Sequence, residues 1–137
     1  MVLVKDVMTR NTIAIPKHAE IDVAIDLMVE NSISGVPVVD ENDSLVGLIT
    51  EYDVLQLYGN PGAGCQEHAP CERYMTHEVK TVQQSAALDV AAKIFQVASL
   101  RRLLVLDGEK FVGVLSRRDV VRSMRDSRLS PMNQSAN

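Results

Sequence analysis

The sequence predicts an α/β (α+β) fold of two pseudo-symmetric repeats, each running strand, helix, strand, strand, helix. Three observations carry this. Asp6-Val7-Met8-Thr9 returns as Arg73-Tyr74-Met75-Thr76, and Val38-Val39-Asp40 as Val105-Leu106-Asp107, both at an offset of 67. Gly47-Leu48-Ile49-Thr50-Glu51-Tyr52-Asp53 returns as Gly113-Val114-Leu115-Ser116-Arg117-Arg118-Asp119 at an offset of 66, so one residue is lost in the turn between these matches. Order, spacing and residue class persist together, which implies a duplicated unit whose copies bury their apolar faces and carry function in the clefts between them. Trp is absent and aromatics make up 4% of the 137 residues, so the core must be aliphatic.

The elements follow in order. Thr12-Ile13-Ala14-Ile15 is a short extended run ended by Pro16, whose ring disfavours helix at the preceding residue. From Ala19 to Asn31, Ile21, Ala24, Ile25 and Met28 recur at helical spacing, with acidic residues on the other faces. Val36-Pro37-Val38-Val39 is a continuous apolar run, the mark of a strand buried on both faces and typical of parallel pairing. After the polar turn Glu41 to Ser44, Leu45 to Ile49 is the next strand, and Thr50 caps a short helix through Leu57. The second copy repeats this: a helix opening at Ser85 as N-cap and running to Val97, strands over 103–106 and 111–115, and a helix from Asp119 to Met124 after Ser116. Gly59-Asn60-Pro61-Gly62-Ala63-Gly64 breaks structure between the copies. The expected organisation is residues 1–59 as first repeat, 60–70 as linker, 71–126 as second repeat and 127–137 as a disordered tail.

Composition excludes several functions. The net charge of −4 argues against a dedicated nucleic-acid binder. No apolar run reaches the roughly 18 residues of a membrane span, and no secretory signal is visible at the start, so the expected location is cytoplasmic. Cys65, His68 and Cys71 form a C-x2-H-x2-C pattern that lacks a fourth ligand, whereas structural zinc sites take four. The expectation is two thiols in a loop, with no metal and no disulfide. Neither a catalytic triad nor a phosphate-binding loop ending in Gly-Lys-Ser/Thr is present, so no enzyme is expected.

The motif that carries chemistry is Gly-apolar-apolar-(Thr/Ser)-x-x-Asp, where a strand ends and a helix begins. Gly47 or Gly113 permits close approach to the backbone, and Thr50 or Ser116 caps the helix. The helix start suits a phosphate, and Asp53 or Asp119 can accept two hydrogen bonds from a vicinal diol such as ribose. The competing reading makes Thr or Ser only a cap and Asp only a complement to the helix dipole.

With Val7-Met8-Thr9, Ser34-Gly35-Val36-Pro37-Val38-Val39-Asp40 and Arg101-Arg102-Leu103-Leu104-Val105-Leu106-Asp107, the chain resembles a tandem pair of cystathionine-β-synthase (CBS) domains, a Bateman module, over about residues 4 to 125. The resemblance implies β-α-β-β-α repeats packed through their sheets, with adenosine nucleotides (AMP, ADP, ATP or S-adenosylmethionine) as ligands rather than an obligatory cofactor. It places Asp53 and Asp119 on ribose hydroxyls, Thr50 and Ser116 near the sugar or phosphate, and backbone around Ile13 and Lys80 at adenine. Ser34, Gly35 and Val36 would close the first pocket. Arg101 and Arg102 would meet phosphates, and Arg117, with Arg118, could add to the positive field. Leu104 departs from the family pattern at the position aligned with Pro37, and Ser34-Gly35 stands where the second copy has two arginines. The implied function is a non-catalytic regulatory sensor, with a homodimer formed through the apolar short helices and an unidentified regulated protein as partner. The alternative is a ligand-independent dimerisation or docking module with degenerate clefts.

Overall fold

The computed structural model describes residues 1–10, 12–58 and 68–128. Their contacts divide into two compact units. One comprises Ile13–Val79 with Glu109–Phe111; the other comprises Met1–Thr12, Lys80–Gly108 and the chain from Val112. We call them the first-repeat and second-repeat units.

The first-repeat unit holds β1 (Ile15–Pro16), α2 (Ile21–Asn31), β2 (Gly35–Val39), β3 (Leu45–Thr50), α3 (Glu51–Leu55) and a 3-10 turn at Cys71–Arg73. The sheet order is β1-β2-β3, parallel between β1 and β2 and antiparallel between β2 and β3. Val36, Pro37 and Val38 are buried in the central strand, as their apolar run predicts, but only one of its neighbours is parallel. The first strand is shorter than expected and includes Pro16, which an edge strand accepts because no ladder bond is needed from its nitrogen. Ile21, Ala24 and Met28 are the buried stripe of α2, and left-handed Ser32 (φ 53°) ends it with an N–H bond to the Met28 carbonyl. They pack with Ile15, Val36, Val38, Ile49, Ala69 and Cys71 into an aliphatic core.

The second-repeat unit holds α1 (Val4–Val7), β4 (Thr81–Gln83), α4 (Leu88–Val97), β5 (Arg102–Asp107), β6 (Lys110–Ser116) from Val112 onward and α5 (Arg117–Arg128), with sheet order β4-β5-β6. Its core is Val4, Met8, Val82, Ala91, Leu103, Val105 and Leu115. Ser85 does not cap α4, contrary to the sequence reading: the N-cap is Ala87, held extended by an antiparallel bridge to Leu3. Likewise α2 starts at Ile21 rather than Ala19, because Glu20 bridges to Pro70. Tertiary pairing overrides the capping preference at Ser85 and the start at Ala19 that periodicity suggested. Of the expected linker, residues 60–67 lie outside the described residues, as does the tail from 129.

The duplication extends to hydrogen bonds. In the first-repeat unit Ile21 N–H donates to Ala69 O (3.0 Å), Cys71 N–H to Ala19 O (2.8 Å) and Glu72 N–H to Lys17 O (3.3 Å). In the second-repeat unit Leu88 N–H donates to Val2 O (2.9 Å), Val4 N–H to Ala86 O (2.9 Å) and Lys5 N–H to Gln84 O (2.9 Å). Each bond maps onto its counterpart at the offset of 67. The opening segment of each sequence repeat therefore docks on the body of the other repeat.

Candidate functional site

Each strand-to-helix corner is built by a reciprocal capping box, which satisfies two backbone N–H donors of the helix start locally. At the first, Asp53 N–H donates to Thr50 Oγ1 (3.1 Å) and Thr50 N–H to Asp53 Oδ2 (2.9 Å). At the second, Asp119 N–H donates to Ser116 Oγ (3.0 Å) and Ser116 N–H to Asp119 Oδ2 (2.9 Å). Capping thus accounts for Thr50, Ser116 and part of each carboxylate without any ligand.

The rest of each carboxylate is used differently. The Thr76 hydroxyl donates to both Asp53 oxygens, at 3.2 and 3.1 Å. Asp119, only 8% exposed, receives the Arg122 guanidinium on Oδ1 at 3.3 Å. Thr76 and Arg122 escape sequence reasoning as partners of the Asp residues. Thr76 lies 23 residues away, and Arg122 reads as one charge among several on a surface helix.

Close approach explains the glycines. A Cβ on Gly47 would stand 2.5 Å from Met75 Sδ and 3.0 Å from the Thr76 carbonyl. One on Gly113 would stand 2.8 Å from the Thr9 carbonyl and 2.9 Å from Met8 Sδ. The group that approaches is thus the docked Met-Thr segment, pinned by the Leu48–Thr76 and Thr9–Val114 bridges.

The twelve sequence-predicted site residues fall six to each unit. In the first-repeat unit Gly35 and Val36 pair with Thr50 and Ile49, and the exposed Ser34 accepts from Glu51 N–H at 2.9 Å. Ile13 lies two residues before Ile15, which pairs with Val38, so it stands at the same end of the sheet. In the second-repeat unit Arg117 N–H donates to Arg101 O (3.0 Å), the counterpart of the Glu51–Ser34 bond, so Arg101, Arg102, Arg117, Ser116 and Asp119 share one corner. Lys80 immediately precedes β4, whose Thr81 pairs with Leu104, near the start of β5. Arg101, Arg102, Arg117 and Lys80 are exposed, while Leu104 is buried beside Leu103.

An open hollow of about 430 Å³ lies between α1 and α5 in the second-repeat unit, with Asp6, Asp119, Arg122, Ser123 and Asp126 in its lining. Three carboxylates against one guanidinium give it the wrong sign for a phosphate. The arginines expected to meet phosphate line none of it.

Cys71 is not a loop thiol as the sequence suggested. It is fully buried at the position equivalent to Val4, and burial, helped by the Asp22 charge, pushes its pKa from 9.0 up to about 11. Cys65 lies outside the described residues. No helix among the described residues is long and apolar enough to cross a membrane.

Comparison with known proteins agrees with this architecture. The chain is 33% identical over 129 residues to the chloroplastic CBS domain-containing protein CBSX1 of Arabidopsis thaliana, covering 75% of this chain and 55% of that one. It spans between 23% and 62% of the length of the first four curated relatives it matches. Among solved structures, CBSX2 of Arabidopsis thaliana in complex with AMP aligns with a TM-score of 0.78 and 30% identity, covering 93% of this chain and 99% of that one. The CBS domain pair of protein MJ0100, in complex with 5-methylthioadenosine and S-adenosyl-L-methionine, aligns with a TM-score of 0.70 and 26% identity, covering 92% of this chain and 98% of that one. The CBS domain profile matches residues 4–60 and again 71–126, so the chain belongs to the CBS domain family and carries the domain twice.

Proposed function

We propose that this chain is a regulatory module that binds an adenosine-containing ligand and performs no catalysis. The observation that carries the reading is the duplicated corner: a helix start with a carboxylate one turn in, beside the opening of a buried strand, in both units. Asp53 and Asp119 would take ribose hydroxyls, with Thr50 and Ser116 close to the sugar or phosphate. Ile13 and Lys80 would mark the adenine walls, and Ser34, Gly35 and Val36 would close the first pocket. Arg101, Arg102 and Arg117 would favour phosphorylated ligands at the second corner, since guanidinium matches phosphate bidentately. The complexes of CBSX2 with AMP and of the MJ0100 domain pair with 5-methylthioadenosine and S-adenosyl-L-methionine support an adenosine ligand.

Ligand binding would act by favouring one of two conformational states, to the extent that its affinity differs between them. A homodimer would form through exposed apolar residues of the short helices: Leu55 on α3, and Val121 and Met124 on α5, each more than 60% exposed. A second reading, a docking module without ligand, is favoured by the carboxylates already being occupied by Thr76 and Arg122.

Isothermal titration with AMP, ADP, ATP and S-adenosylmethionine tests the proposal, with Asp53→Ala and Asp119→Ala as controls. Micromolar binding that is lost in one or both variants is the expected result. No heat from any of the four ligands sinks the sensor reading and leaves the docking module.

A further inference from the structure

The structure assembles a set of metal-ligating groups that no local motif announces. Glu20 stands at the N-cap of α2, Asp22 in its first turn, and His68 at a distant point of the chain in the same unit. His68 Nδ1 lies 3.3 Å from Glu20 Oε2 and 4.0 Å from Asp22 Oδ2, and one ligand atom from each residue falls within 4.8 Å of the others. Donors bound to one ion at about 2.1 Å sit roughly 3.0–3.4 Å apart, so side-chain adjustments of about an ångström would close the set. The three side chains are 43–64% exposed, which makes such adjustments cheap.

Two further observations support the assignment. The backbone beneath the set is clamped: Glu20 bridges Pro70, with Ile21 N–H on Ala69 O and Cys71 N–H on Ala19 O to either side. The ligands are thus held in register rather than brought together by chance in mobile loops. The set also breaks the internal symmetry. At the offset of 67, the other unit keeps the same bridge and backbone bonds but has Met1, Ala87 and Asp89 in place of His68, Glu20 and Asp22. The scaffold therefore requires neither the imidazole nor Glu20.

We propose that Glu20, Asp22 and His68 bind a divalent transition-metal ion of the zinc class. One imidazole and two carboxylates supply borderline and hard donors, and water completes the shell. Bound there, the ion ties the start of α2 to the segment entering the second sequence repeat. It also offsets the repulsion between two neighbouring carboxylates. The local Cys65-x2-His68-x2-Cys71 pattern is not the ligand set, because Cys71 is closed in the core.

The test uses the full chain, stripped with a chelator, dialysed and titrated calorimetrically with zinc alone. One zinc per chain is expected, with a rise in Tm of about 5 °C at saturation. His68→Gln, Glu20→Gln and Asp22→Asn should each weaken binding about tenfold or more, as loss of a metal contact does, and abolish the Tm rise. Circular dichroism of these exposed-site variants confirms that they are folded. Cys65→Ser and Cys71→Val should bind as the parent does. Substoichiometric binding, unchanged affinity in all three ligand variants, or a loss confined to the cysteine variants overturns the proposal.

Discussion

At the first corner Asp53 is half-buried and its remaining contacts come from a neutral hydroxyl, that of Thr76; at the second Asp119 is nearly sealed and meets the charged guanidinium of Arg122. The capping boxes differ by no more than about a tenth of an ångström, so the scaffold imposes the cap in both copies. What occupies the rest of the carboxylate is left to the individual copy. A hydroxyl rotates away at small cost, whereas a charge-assisted partner holds roughly twice as firmly. Duplication thus preserved the backbone chemistry of the corner while the partners of the remaining carboxylate oxygens diverged.

The glycines give the largest predicted contrast. Gly113→Ala drives a Cβ against a carbonyl oxygen of a bridged segment and should cost about 2–3 kcal/mol, whereas Gly47→Ala first meets a flexible methionine side chain and should cost about 1 kcal/mol. Urea unfolding of the two variants checks the order; equal losses would mean that Met75 and the Thr76 carbonyl, 3.0 Å away, together yield no more than the Thr9 carbonyl.

The next contrast is between Cys71 and Val4, which fill equivalent core positions. With its pKa raised to about 11, the folded thiol keeps its proton at pH values where the unfolded thiol, near 9.0, has lost it. Its contribution is fully present below pH 9 and declines as pH rises toward 11, by about 2–3 kcal/mol in total. Cys71→Val should leave neutral stability within about 1 kcal/mol and flatten that alkaline decline, as read from unfolding curves at pH 8, 9, 10 and 11.

The caps come next. Asp53→Ala and Asp119→Ala should each cost about 1 kcal/mol through loss of the capping box, with Asp119 the costlier because it is buried and paired. The smallest effects concern ligand. Under the sensor proposal, Arg122→Gln frees Asp119 and should tighten AMP binding at the second corner a few-fold, about 0.5–1 kcal/mol, while Thr76→Val should change binding at the first corner by less. Calorimetry on both variants decides; weaker binding in Arg122→Gln would show that the arginine serves the ligand rather than competing with it.

Much of this architecture is legible in the residues. The offsets of 67 and 66 announce the duplication, the apolar run Val36 to Val39 announces the central strand, and Thr50-x-x-Asp53 and Ser116-x-x-Asp119 announce the helix starts. These are short-range matters, decided by periodicity and capping over a few residues, so pattern alone determines them. The sequence could not show that Leu3 and Pro70 bridge to the opposite repeat, displacing the expected cap at Ser85 and moving the start of α2 to Ile21. Nor could it show that Cys71 leaves its C-x2-H-x2-C neighbours for the core while His68 finds Glu20, 48 residues away. Those outcomes rest on long-range backbone pairing and on which side chains can be buried together. Such terms exist only once the chain has closed on itself, so the tertiary structure alone decided them.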